Sequence, residues 1–147
     1  MRTITLLIIH CSATVEGKDV TAKDIDRWHR DRGWKGIGYH YVVRLDGTIE
    51  KGRNEEEIGA HCKGHNSHSI GICYVGGLDK NGKPKDTRTE EQKMALQDLV
   101  RFLKKRHRKA IVVSHHTFNP QKACPCCDAA AEYRTLLPAS VNNLATS

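Results

Sequence analysis

A chain of 147 residues with 38% hydrophobic residues and 12 glycines has enough apolar material for one domain around a single core, and its composition argues against disorder outside the ends. The net charge of +7, from 24 basic and 17 acidic residues, favours an anionic partner but does not choose among nucleic acid, an acidic polymer and a membrane surface. Six cysteines could form three disulfides, yet Met1 to His10 lacks the apolar core and cleavage site of a secretion signal. The chain therefore reads as made in a reducing cytoplasm, with its cysteines free or on metal and with no membrane span.

Leu6 to Ile9, in the stretch LLIIHCSAT, is a short continuous apolar run and predicts a strand buried on both faces. His10 falls where that strand runs out. Ligands collect at strand ends in α/β sheets, so His10 is a candidate for metal or catalysis, the other reading being a hydrogen-bonded core histidine. Cys11 points to the opposite face and reads as a small buried hydrophobe. Thr21 is a suitable N-cap for a helix through AKDIDRWHRDRGW, which sets Ile25 and Trp28 on one face and closes at Gly33. His29 lies in its charged run and is expected in solvent.

Gly38 to Lys51, GYHYVVRLDGTIEK, predicts a hairpin about Asp46-Gly47. Alternation puts Tyr39, Tyr41 and Val43 on one face and His40 and Val42 on the other. Ile58 to Gly77 begins as a loop rich in Gly, His, Asn and Ser and becomes a strand over Ile70 to Val75. The histidines of that loop, His61, His65 and His68, are broken up by glycine rather than set on a helix, which suits substrate contact better than metal. Asp79 to Arg88 reads as an exposed connection.

Thr89 and Gln92 form a capping box, followed by Leu96, Leu99, Val100 and Leu103 at helical spacing. The helix runs into KKRHRK, where positive charge suits the C-terminal end of the dipole. That run reads as a solvated helix end, with an anion-binding patch as the alternative. Ile111 to Ser114 predicts another buried strand. Asp128 would cap a last helix, Ala129 to Leu136, before Pro138 and a polar tail over 139–147. The order of elements implies an α/β (α+β) fold, a mixed central β-sheet flanked by helices in a single domain, 1–138.

Between the last strand and the last helix lies SHHTFNPQKACPCCD, with two histidines, a lysine and three cysteines. Nitrogen and sulfur ligands together suit zinc; three protein ligands leave a position open for catalysis, whereas four make a structural site. The residues alone leave open which of them bind.

Four pieces in order, IIHCSAT, GYHYVVRLDGTIEKGR, the G-H-N-x-x-S-I-G core of residues 64–71, and the SHHTFNPQKACPCCD segment, resemble the zinc amidases that include the amidase-type phage lysozymes and the peptidoglycan recognition proteins. The resemblance implies hydrolysis of the amide between N-acetylmuramic acid and L-alanine in peptidoglycan. It implies one zinc ion per chain on His10, His115 and Cys124, with Tyr39 and Lys122 as catalytic residues. His115 is taken over its neighbour His116 because its separation of nine from Cys124 matches G-H-R-D-L-x-x-x-K-A-C in bacterial members; some phage relatives are one residue shorter. Cys126 and Cys127 are expected not to bind the metal. His40, His61 and Asn66 are candidate substrate contacts. The missing leader is similar to phage and prophage members, made in the cytoplasm and acting on the wall after release or export.

Three rivals stand beside this reading. C-P-C-C before a helix would suit a redox protein, though it leaves His10 and Tyr39 unused. A non-catalytic peptidoglycan-binding module would leave the zinc positions idle. A nucleic-acid binder rests on charge alone, with no motif, and is not expected. The sequence leaves a regulatory protein partner open.

Overall fold

The computed structural model describes residues 2–138; the polar tail expected over 139–147 lies outside the described residues. Its main sheet has five strands. The first, β1 (Leu6–Cys11), is an interior strand. The others are β3 (Tyr41–Val43), β4 (Ile49–Lys51), β5 (Ser69–Tyr74) and β7 (Ile111–Ser114), in the spatial order β4-β3-β5-β1-β7. All neighbours are parallel except the β3–β4 hairpin at one edge, so the sheet is mixed. Two short strands, β2 (Thr14–Val15) and β6 (Gly77–Leu78), pair beside it. The helices are α1 (Ala22–Asp31), α2 (Glu90–Arg106) and α3 (Ala129–Tyr133).

Apolar side chains cover both faces of the sheet. Leu7 and Ile9 join Leu96, Leu99, Val100 and Leu103 of α2 in the main core, while Val42 and Cys73 pack with Ile25 of α1 on the other side. Successive strand residues face opposite ways, so His10 of β1 turns away from the α2 core. Both longer helices open with full capping boxes, Thr21 with Asp24 and Thr89 with Gln92. Among the described residues no helix is long and apolar enough to cross a membrane.

Gln92 does more than cap. Its Nε2 donates to the carbonyls of Val43 and Val75, at 3.2 and 2.9 Å, where β3 and β5 end. Gln92→Leu would leave the Val75 carbonyl without a donor in the core, whereas the Val43 carbonyl still accepts from Val75 N–H at 2.9 Å. A buried orphan costs about 1–3 kcal/mol, so the variant is expected to lose about that much in denaturant unfolding; unchanged stability would show that water replaces the amide.

Several expectations are corrected. Tyr39 does not share a face with Tyr41 and Val43: it packs with Val42 and Cys73, whereas the other two lie in the α2 core. The pleat begins only at Tyr41, so alternation cannot be carried back through Tyr39 and His40. His29 is buried, not solvated; it sits four residues after Ile25 on the inner face of α1, and its Nδ1 accepts from Gly38 N–H at 2.9 Å.

The basic run is not wholly a solvated end. Lys104 is buried, and its Nζ donates to the carbonyls of Tyr133, Arg134 and Leu136 at 3.2, 2.7 and 2.9 Å. Those carbonyls find a charged partner outside the helix, and α3 ends at Tyr133 rather than Leu136. Arg106 and His107 both reach Glu55. The connection expected to be exposed also ends in a buried guanidinium, Arg88, held by Asp86 and Glu132.

Candidate metal centre

The end of β1 presents His10, which is 1% exposed. β7 delivers the chain to a single 3-10 turn, His115–Thr117, and the loop beyond returns to place Cys124 beside β1. Two hydrogen bonds from backbone N–H groups hold that return: His116 N–H donates to the Cys124 carbonyl at 2.9 Å, and Cys11 N–H donates to the Cys124 side chain, at Sγ, at 3.0 Å. His10, His115 and Cys124 each bring one potential ligand atom, and these atoms lie within 4.8 Å of one another.

The group suits a zinc ion on two observations. Nδ1 of His115 is buried with no hydrogen-bond partner, as an atom reserved for a ligand would be. The other is the donor set, two imidazoles and a thiolate, which leaves one of four positions open. Nδ1 of His116 is also unpartnered, but its side chain is not among the three that converge, whereas the His115 ring lies 4.4 Å from that of His10. Burial pushes the His10 pKa well down, helped by His61, His115 and Lys122, and burial followed by Lys122 lowers that of His115. Both imidazoles are therefore neutral at neutral pH, the form that binds metal.

Cys126 and Cys127 stand apart from the convergent set. Burial pushes their thiols up to about 11 and about 12, so both stay protonated, and Cys126 Sγ points to the Gly77 carbonyl at 3.4 Å.

Beside the three ligands opens a cleft in two connected parts, both lined by His29, Arg32, Tyr39, His115 and Lys122. Lys63 adds a third cation, and no carboxylate lines either part. The Trp34 ring lies 4.6 Å from that of His29, tilted against it, under the Arg32 guanidinium. The Tyr39 ring is 5.0 Å from His10. Burial raises the Tyr39 pKa well above the usual phenol range, so the hydroxyl keeps its proton as a donor. His29, Arg32 and Trp34 were missed in the sequence; the i, i+4 spacing of His29 from Ile25 was the available signal.

The three candidate substrate contacts separate. His40 is only 1% exposed and lines neither part of the cleft. Its Nδ1 accepts from Gly71 N–H and its Nε2 donates to the Glu57 carbonyl, so both ring nitrogens are occupied in tying the 52–60 loop to β5. Asn66 lines the cleft, while its Oδ1 accepts from the backbone N–H groups of His61 and Cys62. His61 also lines the cleft, and its Nδ1 lies 2.8 Å from Nε2 of His10. His65 stacks on Phe118 at 3.8 Å and joins His68, away from the three ligands.

A mixed sheet whose interior strand β1 ends at two convergent imidazoles and a thiolate, beside an open cationic cleft, is suited to hydrolytic chemistry. Residues 1–127 match the family model described as N-acetylmuramoyl-L-alanine amidase, and the chain belongs to that family. It is 43% identical over 122 residues to an endolysin of Klebsiella phage KP32, covering 83% of this chain and 80% of the relative. Among solved structures it is similar to the N-acetylmuramoyl-L-alanine amidase LysC from Clostridium intestinale, with TM-score 0.74, 29% identity and coverage of 89% and 82% of the two chains. It shares its fold with bumblebee PGRP-SA, at TM-score 0.76 and 23% identity over 96% of this chain and 86% of that one.

Proposed function

We propose that this chain hydrolyses the amide between N-acetylmuramic acid and L-alanine in peptidoglycan, with one zinc ion held by His10, His115 and Cys124. The observation that carries the reading is the convergence of those three ligand atoms beneath a cleft, in a chain of the amidase family. A zinc ion bound there supplies Lewis acidity toward an amide carbonyl and brings the pKa of water in its open position to about 7.

The chain's own residues supply the remainder. Lys122 hangs over the ligands from the loop before Cys124, and among the described residues it has no acidic partner. Its ammonium stabilises the negative charge that develops on the carbonyl oxygen. Tyr39 keeps its proton at neutral pH and stands beside His10, placed to donate to the same oxygen or to the departing amine. Arg32 and Lys63 extend the positive wall away from the ligands, which suits a stem peptide carrying carboxylates. Asn66 remains a contact candidate on that wall.

The amidase unit runs to 138, because α3 packs on the sheet through Ala129 and Tyr133. Its substrate is in the cell wall, so it works after release or export. Digestion of purified peptidoglycan, followed by mass analysis, should yield free stem peptides beginning with L-alanine and glycan strands with free lactyl carboxyls. Cleavage of the glycan, or within the stem, would overturn the reading.

A further inference from the structure

From the contacts of its two ring nitrogens we infer that His61 is a positioning residue, which fixes the ring of His10 and selects the tautomer in which that ring can bind a metal. The inference rests on the zinc reading above and names a role for a residue outside the three ligands.

The His10 ring has two nitrogens. Nε2 faces His61 Nδ1 at 2.8 Å, and Nδ1 has no hydrogen-bond partner among the described residues. Nδ1 is thus the atom left for an ion. A nitrogen that binds metal carries no proton, so the proton of the neutral ring must sit on Nε2. It then donates to His61 Nδ1. Having accepted there, a neutral His61 carries its own proton on Nε2, which faces Ser69 Oγ at 3.2 Å. The reverse order, from Ser69 through His61 to His10, makes the same two contacts but puts a proton on His10 Nδ1, where it meets no acceptor among the described residues and would block an ion; the order from His10 through His61 to Ser69 leaves that nitrogen bare.

The place of His61 is built for a ring. A Cβ on Gly71 of β5 would stand 2.6 Å from His61 Cγ and Cδ2, and a Cβ on Gly59 would stand 2.8 Å from the same Cδ2. Two glycines therefore leave the slot in which the imidazole lies flat against backbone. The Asn66 side chain fixes the approach, by accepting from the N–H groups of His61 and Cys62 at 3.0 and 2.9 Å. A side chain meant only to touch a passing substrate would not need both nitrogens engaged within the protein and a slot cut on two sides.

Outer partners of this kind typically contribute 10–100-fold to metal affinity. The test is zinc affinity by competition with a chelator, together with the visible spectrum of the cobalt-loaded protein. Wild type is compared with His61→Phe, which fills the slot with a ring but has no nitrogen, and His61→Asn, whose Oδ1 can accept in place of Nδ1. His61→Phe should weaken zinc about 10–100-fold and alter the cobalt bands, and His61→Asn should restore most of the affinity. Melting of the metal-free proteins reports separately on folding. The inference is overturned if His61→Phe binds zinc as tightly as wild type, or if the asparagine variant is as weak as the phenylalanine one. A wild-type protein that binds neither metal would instead overturn the zinc site itself.

Discussion

His115→Ala should lose its zinc and cut amidase activity by more than about a thousandfold, while His116→Ala keeps both within about threefold. The neighbours look alike in sequence, yet they do different things. The His115 ring lies 4.4 Å from that of His10 and offers an unpartnered Nδ1 to the convergent set. His116 serves the site through its backbone N–H, which clasps the Cys124 carbonyl at 2.9 Å, and alanine retains that group. With one ligand of three removed, the two that remain cannot hold zinc tightly, and the Lewis acid is worth several kcal/mol to the reaction. Elemental analysis of protein purified without added metal, beside rates on a soluble muropeptide, gives the answer. Zinc retained in His115→Ala and lost in His116→Ala would reverse the assignment; full activity in metal-free wild type would end it.

Lys122→Ala should lower kcat by about 10²–10³ while leaving zinc content and substrate affinity near those of wild type. The side chain is exposed, packs no core and lines the cleft beside the ligands, so its removal should cost the fold little. Its charge matters most where negative charge develops on the carbonyl oxygen. An interaction made mainly in the transition state shows itself in kcat rather than KM. Tyr39→Phe should behave likewise, since it removes a hydroxyl held protonated by burial and leaves the ring beside His10. Steady-state rates with zinc content measured on the same samples decide this. A Lys122→Ala enzyme with near-normal kcat, or one that has lost zinc, would sink the role given to the lysine.

Much of the framework was legible because it rests on local rules. The apolar run ending at His10, the Asp46-Gly47 hairpin and the capping boxes at Thr21 and Thr89 all depend on neighbours within a few residues. The places where reading failed are those in which a distant group overrides local pattern. His29 sits among charges yet is buried, because Gly38 N–H and the rings of Trp34 and Tyr39 come to meet it. Lys104 belongs to a basic run yet is buried, because α3 brings it three carbonyls. His40 and His61 stand in similar company in the sequence, but one is tied to backbone on both nitrogens and the other faces a candidate ligand.

By itself the sequence determined the family, since its motifs order the chain as in the amidases, and it supplied imidazole and thiolate donors, a set that suits zinc. It also determined where the strands and helices begin, through periodicity and capping. Only the tertiary structure decided which nitrogens and sulfurs meet. His10 and Cys124 are separated by most of the chain, and their distance is set by the parallel pairing of β1 with β7 and by the loop that returns from it. Side-chain roles of this kind follow from position in space, and burial and hydrogen bonding there come from elements that no local window contains.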